Sequence, residues 1–427
     1  MQRIEIFLGK FNMPSFGLLS FNIGIFLLFS APAISVIFIL FSLIFAYLRV
    51  RKNPFDDWIN ISFFILIMIM LSSCIIFKLF NQEIAYEDNF LEYTNPFIGL
   101  FNWLPFLFSF WGFQYYLKTK ENRKIASISF LCGAIPVLIS GLGQYFLDLH
   151  GPYYFLNGLI IWYQRDNNLG LTSLFNNQNY AGCALATTWP FFFASIFNRK
   201  ISLSFRFFAI FLNFLVVLEI LLTTSRNSFF GLILGILILL IPLKIKNYLV
   251  FFSFLGSIIL GIISTILLNL YFPVFNIFSR LNYQNFANDP RIIIWKSSLE
   301  YILRKPLLGW GGNSFSSIWN YENDVIYLHS HSAPLELSIQ YGIFTSIIIT
   351  FVIAFLVKKS FKKIFFENKN KIIIFSKDNH FDRAWFAGTI IILFSNTFDI
   401  LYFDLRINIM LWILLAGLRN IVKEKSI

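Results

Sequence analysis

Three short runs in this 427-residue chain combine residue types that could do chemistry. The first, Leu221-Leu222-Thr223-Thr224-Ser225-Arg226-Asn227-Ser228, joins two apolar runs through hydroxyls and one arginine. A guanidinium at a helix start, beside hydroxyls and free backbone N–H groups, suits a phosphate or diphosphate. An arginine at a span end can equally snorkel to lipid headgroups, so both readings stay open. The second run is Asp289-Pro290-Arg291-Ile292-Ile293-Ile294-Trp295, followed by Pro306-Leu307-Leu308-Gly309-Trp310-Gly311-Gly312-Asn313-Ser314-Phe315. Its prolines frame an amphipathic helix of about 15 residues, with Trp295, Leu299 and Ile302 on one face and Lys296 on another. Arg291 at its start offers a second guanidinium. The glycines beyond it reverse the chain and lack phosphate-loop spacing. The third run is His329-Ser330-His331-Ser332-Ala333-Pro334-Leu335-Glu336-Leu337. Ser332 reads as an N-cap, which sets His331 just above a helix N-terminus, where a neutral imidazole can serve as a general base or hold a hydroxyl. A simple interfacial histidine is the other reading. Zinc is a third, with a thin ligand set: His-x-His and carboxylates only at Glu322, Asp324 and Glu336.

The elements that carry these runs follow from composition. The chain is 57% apolar, 20% aromatic and only 13% charged, with a mean hydropathy of +0.69. A water-soluble domain has about a quarter charged residues, so this is an integral membrane protein. Its apolar runs are too long for barrel strands, which makes it an α-helical bundle. Twelve spans are expected near 14–30, 32–48, 58–77, 97–117, 125–147, 179–197, 201–222, 227–243, 247–269, 335–357, 385–401 and 405–421. With the N-terminus inside, 25 of the 34 Lys and Arg fall in inside segments, the bias that orients membrane proteins. Both termini then lie inside, and 78–96, 148–178 and 270–334 face outward. The first expected span, 14–30, is followed at once by Pro32 and another apolar run, so it reads as a span rather than a cleaved signal peptide. Three parts result: 1–178 with five spans, 179–357 with the large loop 270–334 between spans nine and ten, and 358–427 with a basic inside segment and two last spans.

Other features are quieter. A net charge of +12 would suggest nucleic acid in a soluble chain, but here the basic residues follow topology, and no nucleic-acid partner is expected. Cys74, Cys132 and Cys183 sit in apolar runs without metal-ligand spacing and read as small buried residues. The acidic segment with Glu83, Glu87, Asp88 and Glu92 reads as a solvated face. No span has the arginine spacing of a voltage sensor, and no internal repeat of transporter type is visible. Charges within spans are few: Glu219 near one outer end, and Asp399 and Arg406 flanking the last outer turn.

The stretch His331-Ser332, nine residues, then Gly342-Ile343-Phe344-Thr345 resembles the His-[Asn/Ser/Gln]-x9-Gly-x-x-Thr signature of the O-antigen ligase family of bacterial envelope glycosyltransferases. His329 does not fit, because the position matching the glycine is then Gln340. The Thr-Ser-Arg run ending at Arg226 resembles that family's arginine turn, and the string from Arg291 to Gly311 resembles its large periplasmic loop. These matches cover roughly 223–345. Asn176-Asn177-Gln178-Asn179-Tyr180 resembles the Asn-rich outer turn before the sixth span.

The resemblance implies transfer of a glycan from an undecaprenyl-diphosphate carrier to lipid A–core or another glycan, on the periplasmic side of the inner membrane. It implies neither cofactor nor metal. Arg226 and Arg291 would neutralise the departing diphosphate, and His331 would handle the acceptor hydroxyl. Arg280, Arg165, His329 and Asn179 are reserve candidates. The runner-up is a polysaccharide polymerase of the same superfamily. A flippase or transporter of lipid-linked oligosaccharide ranks lower, because such passage needs basic residues lining a path through the bilayer. Nothing in the sequence sets the oligomeric state.

Overall fold

Long apolar runs in a bilayer can satisfy their backbone groups only as helices, and the computed structural model is a helical bundle. It describes residues 13–49, 54–80, 96–165, 170–198, 202–240, 248–271, 289–323, 325–366 and 379–424. In chain order these form α1 (Met13–Leu27), α2 (Pro32–Arg49), α3 (Trp58–Phe80), α4 (Leu104–Tyr116), α5 (Lys120–Phe146), α6 (Gln178–Phe197), α7 (Leu203–Leu222), α8 (Arg226–Leu240) and α9 (Tyr248–Tyr271). After them come α10 (Pro290–Arg304), α11 (Phe315–Glu322), α12 (Ala333–Tyr341), α13 (Ile343–Phe365), α14 (His380–Phe398) and α15 (Leu405–Lys423). Between α5 and α6 a hairpin of β1 (Tyr153–Phe155) and β2 (Ile160–Trp162) pairs antiparallel, with Tyr154 opposite Ile161. Arg280 and most of the acidic segment 78–96, residues 81–95, lie outside the described residues.

Eight of the described helices, α2, α3, α5, α6, α7, α9, α13 and α15, are long and apolar enough to cross a membrane. The chain is a helical membrane protein, and among the described residues the small hairpin is the one departure from all-α secondary structure. Part of the sequence reading needs correction. Of the expected run 97–117, only Leu104–Tyr116 is α-helix, after a 3-10 turn at Ile98–Asn102. The helices α1 and α8 are shorter apolar helices. In α14 the first turn carries buried Asp382 and Arg383.

The bundle is organised around α6, α14 and α15. The best 18-residue windows of α6 and α15 are each 89% buried, against 28% for α2, so the former are central and the latter faces outward. Trp189, Trp385 and Trp412 on these three helices are wholly enclosed. Gly417 leaves room for the Trp385 ring, whose Nε1–H donates to the Leu414 carbonyl at 2.8 Å. Ion pairs hold one end of the bundle together: Arg123 bonds Asp382 at 2.7 Å and Glu424 at 2.9 Å, and Arg419 bonds Asp57 at 2.7 Å. Cys74 and Cys183 are buried as expected, and Cys132 is half-buried.

The expected span 335–357 is two helices. Gly342 separates α12 from α13 with φ of +87°, a left-handed conformation that a side chain strains. A Cβ there would lie 1.9 Å from the Leu307 carbonyl oxygen. The break lets the Pro306–Gly311 turn cap both new helix ends. Trp310 and Gly311 donate their N–H groups to the carbonyls of Ile339 and Gln340, at 2.8 and 2.9 Å, and Ile343 N–H donates to Pro306 at 2.9 Å. Groups that a broken helix would leave unpaired are thereby satisfied. The Ser73 hydroxyl on α3 adds bonds to the carbonyls of Leu308 and Gln340.

On α10 the buried residues are Ile294, Ser298, Tyr301 and Ile302, and the three apolar ones pack with Phe315, Trp319 and Ile339 in a second small core. Leu299, expected on that face, is 54% exposed. Replacing Gly342 by Ala should therefore lower the apparent melting temperature of purified protein, by about 2 kcal/mol or more of stability. Gly256→Ala on α9, where a Cβ meets nothing within 4 Å, should leave melting unchanged or raise it slightly. Equal behaviour of the two would contradict this account of the break.

Candidate functional site

The three runs converge because four helices begin at the same place. Arg226 is the first residue of α8, after a turn in which Thr224 has φ of +53°. That turn is closed by its own hydroxyls: Thr223 Oγ1 donates to Ile220 O at 2.6 Å, and Ser228 donates to Ser225 at 3.0 Å. Arg291 is the second residue of α10, whose N-cap is Asp289. The Asp289 side chain accepts the Arg291 N–H at 3.0 Å through Oδ1 and the Arg226 guanidinium through Oδ2. One carboxylate thus ties the two arginines to each other. Burial alone would raise its pKa, but the Arg291 N–H and the two positive charges overcome that and hold it below the usual carboxylate range.

The centre of the cluster is Asp399, the residue that follows α14. It is 4% exposed. Its Oδ1 lies 3.0 Å from His331 Nδ1, and its Oδ2 accepts from Asn179 Nδ2 at 2.9 Å and lies 3.6 Å from an Arg291 Nη2. Burial opposes ionisation here too. The His331 hydrogen bond and the Arg291 charge win, and Asp399 is held down to about 2. A carboxylate can only accept, so Nδ1 of His331 is the donor of this pair, and in the neutral ring Nε2 is the acceptor. Asn179 reaches Asp399 from the first turn of α6, which is capped by Asn177 accepting the Asn179 N–H at 2.7 Å.

His331 itself has φ of +53°, so its position is imposed by the surrounding loop. Glu336 in the first turn of α12 accepts the Ser330 N–H at 2.8 Å, and Ser330 donates through its hydroxyl to Ser332 O at 3.1 Å. Ser332 is the N-cap residue, as the sequence suggests, although its side chain makes no capping bond. The first turns of α6, α8, α10 and α12 therefore meet, and their positive dipole ends favour an anion.

His329 has a different setting. Its ring lies edge-on to that of His331, with centroids 4.3 Å apart, and its Nδ1 is buried without a hydrogen-bond partner among the described residues. Burial, more than any neighbouring charge, lowers its pKa to about 4, so it is neutral near neutral pH. The ligand atoms of His329, His331 and Asp399 lie within 4.8 Å of one another, close enough to be drawn onto one metal ion. The carboxylates that the sequence offered as zinc ligands are placed otherwise: Glu336 serves Ser330 and Gln340, Glu322 bonds Arg304 at 2.5 Å, and Asp324 lies outside the described residues.

The structure thus joins Arg226, Arg291, His331, His329 and Asn179. Arg165 is exposed on a loop anchored by Gln144, which donates to the Arg165 carbonyl at 2.8 Å, and none of its described contacts involves the cluster. Asp289 and Asp399 are the members the sequence reading missed as partners. A signal existed: Asp399 is one of few charges at a span end, and Asp289 abuts an arginine at a helix start. Arg406, likewise noticed only as a span-end charge, bonds Asp404 at 2.5 Å and the Leu174 carbonyl at 3.1 Å, and lies 3.8 Å over the Phe175 ring. It braces the loop that leads into α6.

Comparison with known proteins bears on the same region. No curated protein matches the chain. Residues 211–350 match the family model described as O-antigen ligase. That segment includes Arg226, Asp289, Arg291, His329 and His331 but neither Asn179 nor Asp399. The match spans about a third of the chain, and residues 211–350 are similar to that family.

Proposed function

We propose that this protein is a metal-independent glycosyltransferase that moves a glycan from an undecaprenyl-diphosphate carrier to an acceptor hydroxyl, on lipid A–core or a similar glycan, at the periplasmic face of the inner membrane. The observation that carries the reading is Asp399, which holds His331 and Arg291 on one buried carboxylate. The acceptor oxygen attacks the anomeric carbon of the donor as the bond from that carbon to the phosphate oxygen breaks. Negative charge grows on the leaving diphosphate, and Arg226, Arg291 and the helix starts are suited to stabilise it. The contact of Arg291 with Asp399, at 3.6 Å, is longer than a hydrogen bond, so the pair orients the guanidinium without using its donors. His331 Nε2 takes the acceptor proton, and Asp399 stabilises the imidazolium that forms.

Two arginines fill the place that a divalent cation takes in many soluble glycosyltransferases, so transfer should survive a chelator. Loss of activity restored by one added divalent metal would contradict this. Replacing Arg226, Arg291 or His331 by Ala should abolish transfer with membrane insertion intact, and His329→Ala should be milder than His331→Ala. Asp399→Asn should lower transfer about 100-fold or more, and the double variant with His331→Ala should lose no more than the worse single one, since both remove one hydrogen-bonded unit. Additive losses would separate Asp399 from His331.

The decisive test in cells is deletion of the gene in its native host, with surface glycans resolved by size and the wild-type and His331→Ala genes as rescue. Long glycan on the polyprenyl carrier with bare lipid A–core means ligase. Lipid A–core with a single repeat unit means polymerase, and unchanged glycans mean neither.

A further inference from the structure

We propose that His329, His331 and Asp399 also form a binding site for a borderline-soft divalent cation, Zn²⁺ above all, and that occupancy of this site switches transfer off. The switching half of the proposal rests on the glycan-transfer reading above; the binding half does not.

The donor set is two imidazoles and one carboxylate, brought together from the α11–α12 loop and from the residue after α14. This is the ligand chemistry of zinc and of late first-row metals. The atoms lie within 4.8 Å of one another, whereas a tetrahedral zinc with bonds of about 2.1 Å holds its ligand atoms about 3.4 Å apart, so side-chain rotations of about an ångström close the site. His329 supplies the independent observation. Its Nδ1 is buried and has no hydrogen-bond partner among the described residues, although buried imidazole nitrogens are ordinarily paired, and it stands beside the ring of His331. A cation would give that nitrogen a partner. His331 and Asp399 are already held in place, by the left-handed backbone of one and by Asn179 and the Ile400 N–H on the other.

Occupancy has a definite consequence. A metal on these three residues takes His331 away from the acceptor hydroxyl and takes Asp399 away from both His331 and Arg291. Ligation of His331 through Nδ1, the nitrogen that now faces Asp399, moves the ring proton to Nε2, and the nitrogen that would take the acceptor's proton is then already protonated. Hard cations that prefer oxygen ligands, Mg²⁺ and Ca²⁺, should not compete.

The test uses the purified full-length protein in detergent, stripped of metal. Co²⁺ serves as a spectroscopic probe in the absence of donor. The wild type should take up one Co²⁺ per chain with visible d–d absorption that Zn²⁺ bleaches, and His329→Ala should lose that absorption. In a transfer assay, with each protein normalised to its own metal-free rate, Zn²⁺ should inhibit the wild type while equal Mg²⁺ does not. The half-inhibiting Zn²⁺ concentration should rise about tenfold or more in His329→Ala. Absent Co²⁺ binding, or the same binding in His329→Ala, overturns the site. Equal Zn²⁺ inhibition of both proteins overturns the switch, because the metal then acts on the donor diphosphate, and activation by Zn²⁺ overturns the switch and the metal-independent reading together. Co²⁺ binding in a protein that transfers no glycan defeats only the glycan-transfer reading and leaves the metal site standing.

Discussion

A buried carboxylate must find positive or hydrogen-bonding partners, because an unpaired charge in a low-dielectric surrounding costs several kcal/mol. Asp399 sets that condition for one whole end of the bundle. Its partners come from α6, α10 and the loop before α12, so satisfying one charge brings three distant parts of the chain together. Asp289 extends the arrangement to a fourth helix by joining the start of α10 to Arg226 at the start of α8. The positive groups of the site are thus balanced by two carboxylates and kept in place before any ligand arrives. That is the preorganisation that electrostatic catalysis needs.

The broken helix serves the same end. A continuous helix over 333–365 would need no turn beside it. With the break at Gly342, the carbonyls of Ile339 and Gln340 and the N–H of Ile343 each need partners, and the Pro306–Gly311 turn supplies all three. The turn in turn fixes the C-terminal end of α10, whose other end carries Arg291. Gly342 is therefore the point where α12 stops and α10 is locked against it, with His331 at the opposite end of the same short helix.

Much of the bundle was legible in the sequence, because a run of about 20 apolar residues carries its own evidence of a span. The runs 32–48, 179–197 and 405–421 match α2, α6 and α15 within two residues. The break at Gly342 was hidden, since apolar character continues across it and one glycine in a helical run is commonplace. The buried face of α10 was legible at Ile302 and Trp295 but not at Leu299, because both sides of that helix are apolar and only its partners Phe315 and Ile339 decide that Ile294 and Tyr301 go in while Leu299 stays out. Arg226, Arg291 and His331 were legible by residue type and spacing. Asp399 was not, because it is 68 residues from His331 and 220 from Asn179, and no local pattern records such a pairing.

The central claim is that the two arginines and His331 face one diphosphate-linked donor. The most direct test is an experimental structure of the full-length protein with undecaprenyl diphosphate bound. The account predicts phosphate oxygens at about 3 Å from the guanidinium groups of both Arg226 and Arg291, with the His331 ring facing the terminal phosphate, where the glycan attaches. A diphosphate held elsewhere on the protein, with Asp289 and Asp399 still paired to their present partners, would contradict it.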